Sequence, residues 1–187
     1  ALTRPGRFDR TITVDKPKTK EREDIFQRIV RRRGIDLAEG VDLALLARLT
    51  SGSSGADLAN ILNEAAILAA LDDRESVSMR DLEDARDKTL MGSPGSLIVF
   101  EPLLRSTAIH EAGHATAAHH LLRSHDVHSA SVRPQGRALG RVIMVPRHDE
   151  ELVTYYDILA HIAVMLAGRA AEVLEGALLE SSPGAED

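Results

Sequence analysis

The chain has 187 residues, enough for one large or two small domains, and its 43% hydrophobic and 28% charged residues argue against a disordered chain. A formal net charge of -6 provides no basic surface for nucleic acid, and the absence of cysteine excludes disulfides and thiolate metal sites. No apolar run reaches about 18 residues, so we expect neither a transmembrane helix nor a signal peptide in this sequence.

The sequence opens with arginines around a Pro-Gly turn, Arg4-Pro5-Gly6-Arg7, followed by a short β-like run at 11–14. A rigid turn that presents guanidinium groups could bind an anion, but composition alone favours a solvated basic loop. The first residue is alanine and the sequence starts within this motif, so we expect a fragment of a longer protein.

The next segment is amphipathic. It follows Pro17, ends at Gly34, and has an apolar helical face made of Ile25, Phe26, Ile29 and Val30. Asp42 can then cap a short helix that ends at Leu49.

Two further helices are predicted over about 54–74 and 78–90. Each begins at a serine, Ser54 or Ser78, with an aspartate three residues later, which is a variant of the capping box. With the two preceding helices they predict a small helical domain.

A turn-rich linker at 91–96 marks a domain boundary. Pro102 can start a helix that continues through an apolar stretch to residue 122. Two strands, 129–132 and 139–145, are predicted to form a hairpin, and Thr154 caps a long apolar helix that ends at Gly176.

The helix at 103–122 contains His110-Glu111-Ala112-Gly113-His114. Two histidines four residues apart lie about 40° apart around a helix, so one cation can contact both imidazoles. Catalytic zinc takes three protein ligands and leaves a position for water, and Glu111 is placed to act as general base on that water. The alternative, an amphipathic helix with solvent-facing histidines, is less favoured because helix context and spacing both fit the chemistry.

Six motifs in register resemble the FtsH family of ATP-dependent AAA+ zinc metalloproteases. They are RPGRFDR at 4–10, SGADLAN at 54–60, NEAA at 63–66, HEAGH at 110–114, GRALG at 136–140 and GRAAE at 168–172. The resemblance implies a mainly α fold, with a helical AAA+ lid followed by a helical zinc-peptidase domain that contains a small β-hairpin. It places the end of the AAA+ nucleotide-binding core at 1–18, the lid at 19–91, a linker at 92–100 and the first part of the peptidase domain at 101–187.

By the same resemblance, Arg4 and Arg7 are arginine fingers that reach the ATP site of a neighbouring subunit. The resemblance therefore favours an anion-binding role for the opening loop over a solvated basic loop. Gly55 and Ala56 match a small pair near the nucleotide in the lid, although a helix start that needs little bulk explains them equally well. No Walker motif is found in the sequence, so ATP and Mg²⁺ belong to the longer protein.

The third zinc ligand has several candidates. His120 has the spacing of a third-ligand histidine, but the required glycine is Ala117, so the helix should continue and direct His120 away. Glu172 is a possible ligand, although an orienting role beside a liganding histidine is favoured. The family pattern resembles the end of this chain and implies an aspartate just after Asp187, or Asp187 itself after a one-residue slip.

Ser53 stands where the family usually has an aromatic residue, which we expect to loosen the lid, and Pro183 replaces a threonine. The histidines at 125, 128, 148 and 161 are interpreted as ordinary surface or core residues.

The resemblance further implies a homo-oligomeric ring, a hexamer in the family, that degrades unfolded or membrane polypeptides. It also implies a membrane anchor outside this chain, with the catalytic domains on the cytoplasmic side. The alternatives are a catalytically degenerate homologue that acts as a ring-assembly or chaperone module, and a metal-free helical adaptor.

Overall fold

The structure, a computed structural model, describes residues 14–92, 101–134, 138–149 and 153–176. Within these ranges the chain forms six helices and two strands. In chain order they are α1 (Thr19–Arg33), α2 (Leu43–Leu49), α3 (Gly55–Leu71), α4 (Met79–Met91), α5 (Glu101–Leu121), β1 (His125–Ser131), β2 (Arg141–Pro146) and α6 (Tyr155–Leu174). The mainly α fold class predicted from the sequence is confirmed.

Helices α1 to α4 pack around one apolar core. α3 is central to it, because it contacts both α1 and α4. The fully buried side chains include Phe26, Leu46, Leu58, Ile61, Leu62 and Leu82. The apolar face predicted for the first helix is therefore confirmed: Phe26 is in the core, and Ile25, Ile29 and Val30 pack against it.

The predicted helix starts are confirmed by hydrogen bonds. Asp42 accepts from the backbone N–H groups of Ala44 and Leu45, each at 2.9 Å. Ser78 and Asp81 form a reciprocal capping box, and Ser54 with Asp57 forms another. Each box satisfies backbone donors that a helix N-terminus leaves unpaired. The helix predicted over 54–74 ends earlier than expected, at Leu71.

Helices α5 and α6 form the main packing pair of the second half, and they run antiparallel. His110 near the middle of α5 contacts Glu172 late in α6, whereas His114, one turn later, contacts the earlier Val164. A small apolar core of Ala118, Leu122 and Val164 lies at one end of the pair. No helix in the described part of the chain is long and apolar enough to cross a membrane.

Strands β1 and β2 pair antiparallel, from His125 opposite Pro146 to Ser131 opposite Arg141. The prediction of a first strand at 129–132 was wrong at its start, because the polar residues that begin β1 have weak strand preference and become extended by pairing with β2. The register shifts between Val127 and Ser129, so that His128 lies in a β-bulge. The hairpin packs against α5.

Candidate metal centre

His110 and His114 lie on consecutive turns of α5 and face α6. Their ring centroids are 4.6 Å apart in an edge-to-face arrangement, and their Nε2 atoms are 2.9 Å apart. The structure therefore brings together the two residues whose spacing predicted a shared cation.

The other nitrogen of each ring is held by α6. His110 Nδ1 lies 2.9 Å from Glu172 Oε1, and His114 Nδ1 lies 2.7 Å from the backbone oxygen of Val164. A carbonyl oxygen and a carboxylate can only accept a hydrogen bond, so each Nδ1 must carry the proton and donate it. A neutral imidazole has one N–H, so each Nε2 then has a free lone pair.

Two lone pairs directed at each other over 2.9 Å repel unless a cation lies between them. Nitrogens bound at about 2.0 to 2.1 Å to one tetrahedral ion are about 3.4 Å apart, so the rings need to separate by only about half an ångström. The donor set, two imidazoles oriented through their outer nitrogens, therefore fits a metal ion.

Gly168 of α6 is buried against both rings. A Cβ at this position would lie 2.5 Å from His114 Nε2 and 2.6 Å from His110 Nε2. Any larger residue would occupy the space that an ion between the two nitrogens requires. Because the Nδ1 atom of each ring is hydrogen-bonded to α6, the rings could move away from a larger residue 168 only by breaking these hydrogen bonds.

Glu111 is partly buried on the same helix. Burial raises the pKa of its carboxyl above the ordinary range, and the nearby imidazoles of His114 and His110 oppose this rise. The segment that leads into β2 lies against the side chain: a Cβ at Gly140 would be 2.7 Å from Glu111 Cγ and 2.8 Å from its Oε1. A carboxylate whose pKa is raised by burial binds a proton more strongly than one in water, which is the property that a general base needs.

Glu172 is fully buried and its two carboxylate oxygens have different partners. Oε1 faces His110 Nδ1, and Oε2 accepts a hydrogen bond from Arg169 Nη1 at 2.9 Å. The carboxylate thus contacts the ring nitrogen opposite the one that faces His114.

The described residues contain no group of three His, Cys, Asp or Glu side chains that could together hold a metal ion. His120 is exposed, and α5 continues past Ala117 to Leu121, as the sequence predicted for this helix. Asp187 lies outside the described residues.

Of the residues predicted near a nucleotide, Gly55 and Ala56 are exposed at the start of α3. Gly55 and Ser54 border an open cleft of about 540 Å³ that is also lined by Val14, Lys16 and Pro17. Arg4 and Arg7 lie outside the described residues.

Sequence reasoning missed three contributors to the centre: Gly168, Gly140 and the carbonyl of Val164. An isolated glycine inside a long apolar helix is a recognisable signal of close approach, and it could have identified Gly168. The Val164 carbonyl has no such signal, because any residue at that position supplies the same backbone oxygen.

Comparison with known proteins finds two matching families. Residues 101–187 match peptidase family M41, and residues 40–84 match the AAA+ lid domain. The first match contains both histidines and Glu111, and the second covers most of the α2 to α4 region.

Similar proteins cover nearly all of this chain. The ATP-dependent zinc metalloprotease FtsH of Thermus thermophilus is 52% identical over 174 residues, which is 92% of this chain and 27% of that protein. FtsH 3 of Symbiobacterium thermophilum is 44% identical over 189 residues, 100% of this chain and 30% of the relative. FtsH 1 of Rhodopirellula baltica is 44% identical, again with 100% of this chain but 27% of the relative. The chain thus spans less than a third of the length of these relatives.

Proposed function

The chain belongs to the FtsH family, and on this premise we propose that it carries the lid and the first part of the catalytic centre of an ATP-dependent zinc metalloendopeptidase. The observation that carries the proposal is the pair of Nε2 atoms of His110 and His114, 2.9 Å apart with their outer nitrogens hydrogen-bonded. The reaction is hydrolysis of a peptide bond.

His110 and His114 would hold Zn²⁺ through Nε2. When bound, zinc would polarise the peptide carbonyl and make water a stronger nucleophile. The Val164 carbonyl fixes the orientation of the His114 ring, and Glu172 fixes that of His110. The negative charge of Glu172 also makes His110 a stronger ligand.

Glu111 would act as the general base. Its carboxylate removes a proton from the attacking water and later delivers it to the leaving amine. The raised pKa of Glu111 supports this role, because a carboxylate that holds a proton more strongly is a better base.

A third zinc ligand would come from outside the described residues. The aspartate expected just after Asp187 remains the preferred candidate, with Asp187 itself as the alternative. The weaker candidate Glu172 has both oxygens engaged by His110 and Arg169, which supports the orienting role instead.

The ATP-dependent part of the function would need the nucleotide-binding core of the longer protein. Arg4 and Arg7 would reach the γ-phosphate of ATP, bound with Mg²⁺, in a neighbouring subunit of a homo-oligomeric ring. Gly55 and Ala56 would lie near the nucleotide, and the cleft beside Gly55 supports this placement.

The substrates would be unfolded or membrane polypeptides fed from the ring to the metal centre. We propose a ring of six subunits. The membrane anchor would lie in a part of the protein outside this chain, and the catalytic domains would lie on the cytoplasmic side. The alternative is a catalytically degenerate homologue that serves as a ring-assembly or chaperone module. Zinc content and peptidase activity distinguish it from the active protease.

The test compares full-length wild type with Glu111→Gln, and uses Glu101→Gln, an exposed position at the start of the same helix, as the matched control. We expect one zinc per chain in all three, with ATP-dependent casein degradation lost only in Glu111→Gln. Loss of the base should reduce the rate at least about 100-fold. Full activity in Glu111→Gln would overturn the assignment of the base, and absence of zinc from wild type would favour the degenerate homologue.

A further inference from the structure

Helix α4 of the lid contacts both strands of the hairpin through acidic side chains. Glu83 Oε1 lies 3.0 Å from His128 Nε2 in the bulge of β1, and Asp87 forms an ion pair with Arg141, the first residue of β2. Glu83 and Asp87 are four residues apart, so they lie on one face of α4. The bulge allows His128 to turn out of the strand alternation and reach this face.

Asp87 is buried and contacts two arginine side chains, Arg86 and Arg141. Asp87 is 5% exposed, and its Oδ1 accepts a hydrogen bond from Arg86 Nε at 2.9 Å while Oδ2 faces Arg141. Arg86 is 2% exposed, and the buried Arg86 Nη1 and Arg141 Nε have no partner in the described part of the chain. One carboxylate thus joins two guanidinium groups, and breaking a buried pair of this kind is costly.

The residue just before β2, Gly140, contacts the candidate catalytic residue Glu111. Gly140, bonded directly to Arg141, lies against Glu111 and Thr107, where an added Cβ would approach each side chain to 2.7 Å. The Gly140 carbonyl and the Arg141 N–H belong to one planar peptide unit, so this unit shifts as a whole when the backbone at Arg141 shifts. A change at the α4 contact that moves the Arg141 backbone therefore also moves Gly140, which lies against the Glu111 side chain.

We infer that the hairpin is a mechanical link through which helix α4 of the lid sets the position of the Glu111 carboxylate, with Arg141 and Asp87 as positioning residues. Neither residue touches the reacting atoms, and both act through Gly140. The inference rests on the proposed function for its catalytic consequence, whereas the link itself rests only on the contacts of α4, the hairpin and α5.

The experiment replaces Arg141 by glutamine in the full-length protein. This change removes the ion pair but leaves the Arg86–Asp87 pair in place, so the lid core should still fold. Asp87→Asn is the second variant. The matched control is Arg147→Gln, the same substitution just after the other end of β2, where the 51% exposed side chain pairs with Asp126 within the hairpin.

Three quantities are measured on each variant: bound zinc per chain, kcat and KM for a short unstructured peptide, and hydrogen exchange of the backbone amides at 139–146. For Arg141→Gln we expect unchanged zinc, KM within about twofold of wild type and kcat reduced about tenfold, since an active-site group misplaced by about 1 Å can cost up to 100-fold. Exchange should be several times faster than in wild type. Arg147→Gln should match wild type in all three.

The double variant Asp87→Asn/Arg141→Gln should have a kcat no lower than the worse single variant, because both changes break the same contact. Unchanged exchange in Arg141→Gln would overturn the link. Faster exchange with wild-type kcat, or a kcat loss proportional to zinc loss, would overturn the positioning role. If wild type cleaves no peptide, the proposed function fails, while faster exchange in Arg141→Gln would still support the link.

Discussion

Gly168 of α6 and His114 of α5 are in such close contact that a Cβ on Gly168 would lie 2.5 Å from His114 Nε2. The same atom would lie 2.6 Å from His110 Nε2. The size of residue 168 therefore decides whether an ion fits between the two imidazoles.

Gly168→Ala should prevent zinc binding without unfolding the protein. Alanine favours a helix interior over glycine by about 1 kcal/mol, which offsets part of the cost of moving the rings. We expect zinc affinity to fall more than about 100-fold, because the rings can make room only by losing the Nδ1 bonds that orient them. Zinc titration against a competing chelator measures the affinity, and circular dichroism checks the fold.

The control for this substitution is Ala163→Gly, at an exposed position of the same helix. It should have the opposite profile, with stability lower by about 1 kcal/mol and normal zinc binding. Wild-type zinc affinity in Gly168→Ala would show that the space beside the rings is not where the metal binds.

Glu172→Gln should weaken metal binding without abolishing it. The glutamine can still accept a hydrogen bond from His110 Nδ1, but the ring loses the negative charge behind it. Replacement of such an orienting carboxylate typically costs about 10- to 100-fold in metal affinity. The same zinc titration applies, with Glu175→Gln, exposed just after the helix, as the control. A complete loss of binding would instead favour Glu172 as a direct ligand.

Asp81→Asn should destabilise the lid at neutral pH. Asp81 accepts two hydrogen bonds from the Arg74 guanidinium, at 2.6 and 2.7 Å, and one from the Ser78 backbone N–H at 2.8 Å. The Arg74 hydrogen bonds, assisted by those of Ser78, hold the pKa of Asp81 well below its usual range. Because Arg74 is partly exposed, we expect a loss of only about 1 to 2 kcal/mol.

This loss should depend on pH in one direction. A carboxyl with a lowered pKa in the folded state stabilises the protein at pH values above its unfolded pKa of about 3.9. The stabilisation disappears as pH falls through the lower folded value. In urea unfolding, the difference between wild type and Asp81→Asn should be constant from about pH 5 to 8 and shrink below about pH 4. A difference that grows in acid would contradict the assignment.

Ser53→Ala should stabilise the lid. Ser53 is 3% exposed, and its hydroxyl has no hydrogen-bond partner in the described part of the chain. A buried hydroxyl without a partner costs about 1 to 3 kcal/mol, so its removal should raise the free energy of unfolding by about 1 kcal/mol. The exposed Ser51→Ala serves as the control and should change stability by less than about 0.5 kcal/mol. Destabilisation by Ser53→Ala would imply a partner for the hydroxyl.

The sequence by itself determined the helices and the identity of the two imidazoles. Capping residues such as Asp42, Ser54 and Ser78 act on the adjacent turn, and the spacing of His110 and His114 acts within one helix. These are local relationships of a regular helix, so they follow from the order of residues along the chain.

Only the tertiary structure decided what surrounds the two histidines. Val164, Gly168 and Glu172 reach them from α6, and Gly140 reaches Glu111 from the start of β2. The start of β1 at His125 likewise depended on pairing with β2. Such contacts depend on how separate elements pack, which the periodicity of a single element does not encode, because the same helix pattern is compatible with many partners and crossing geometries.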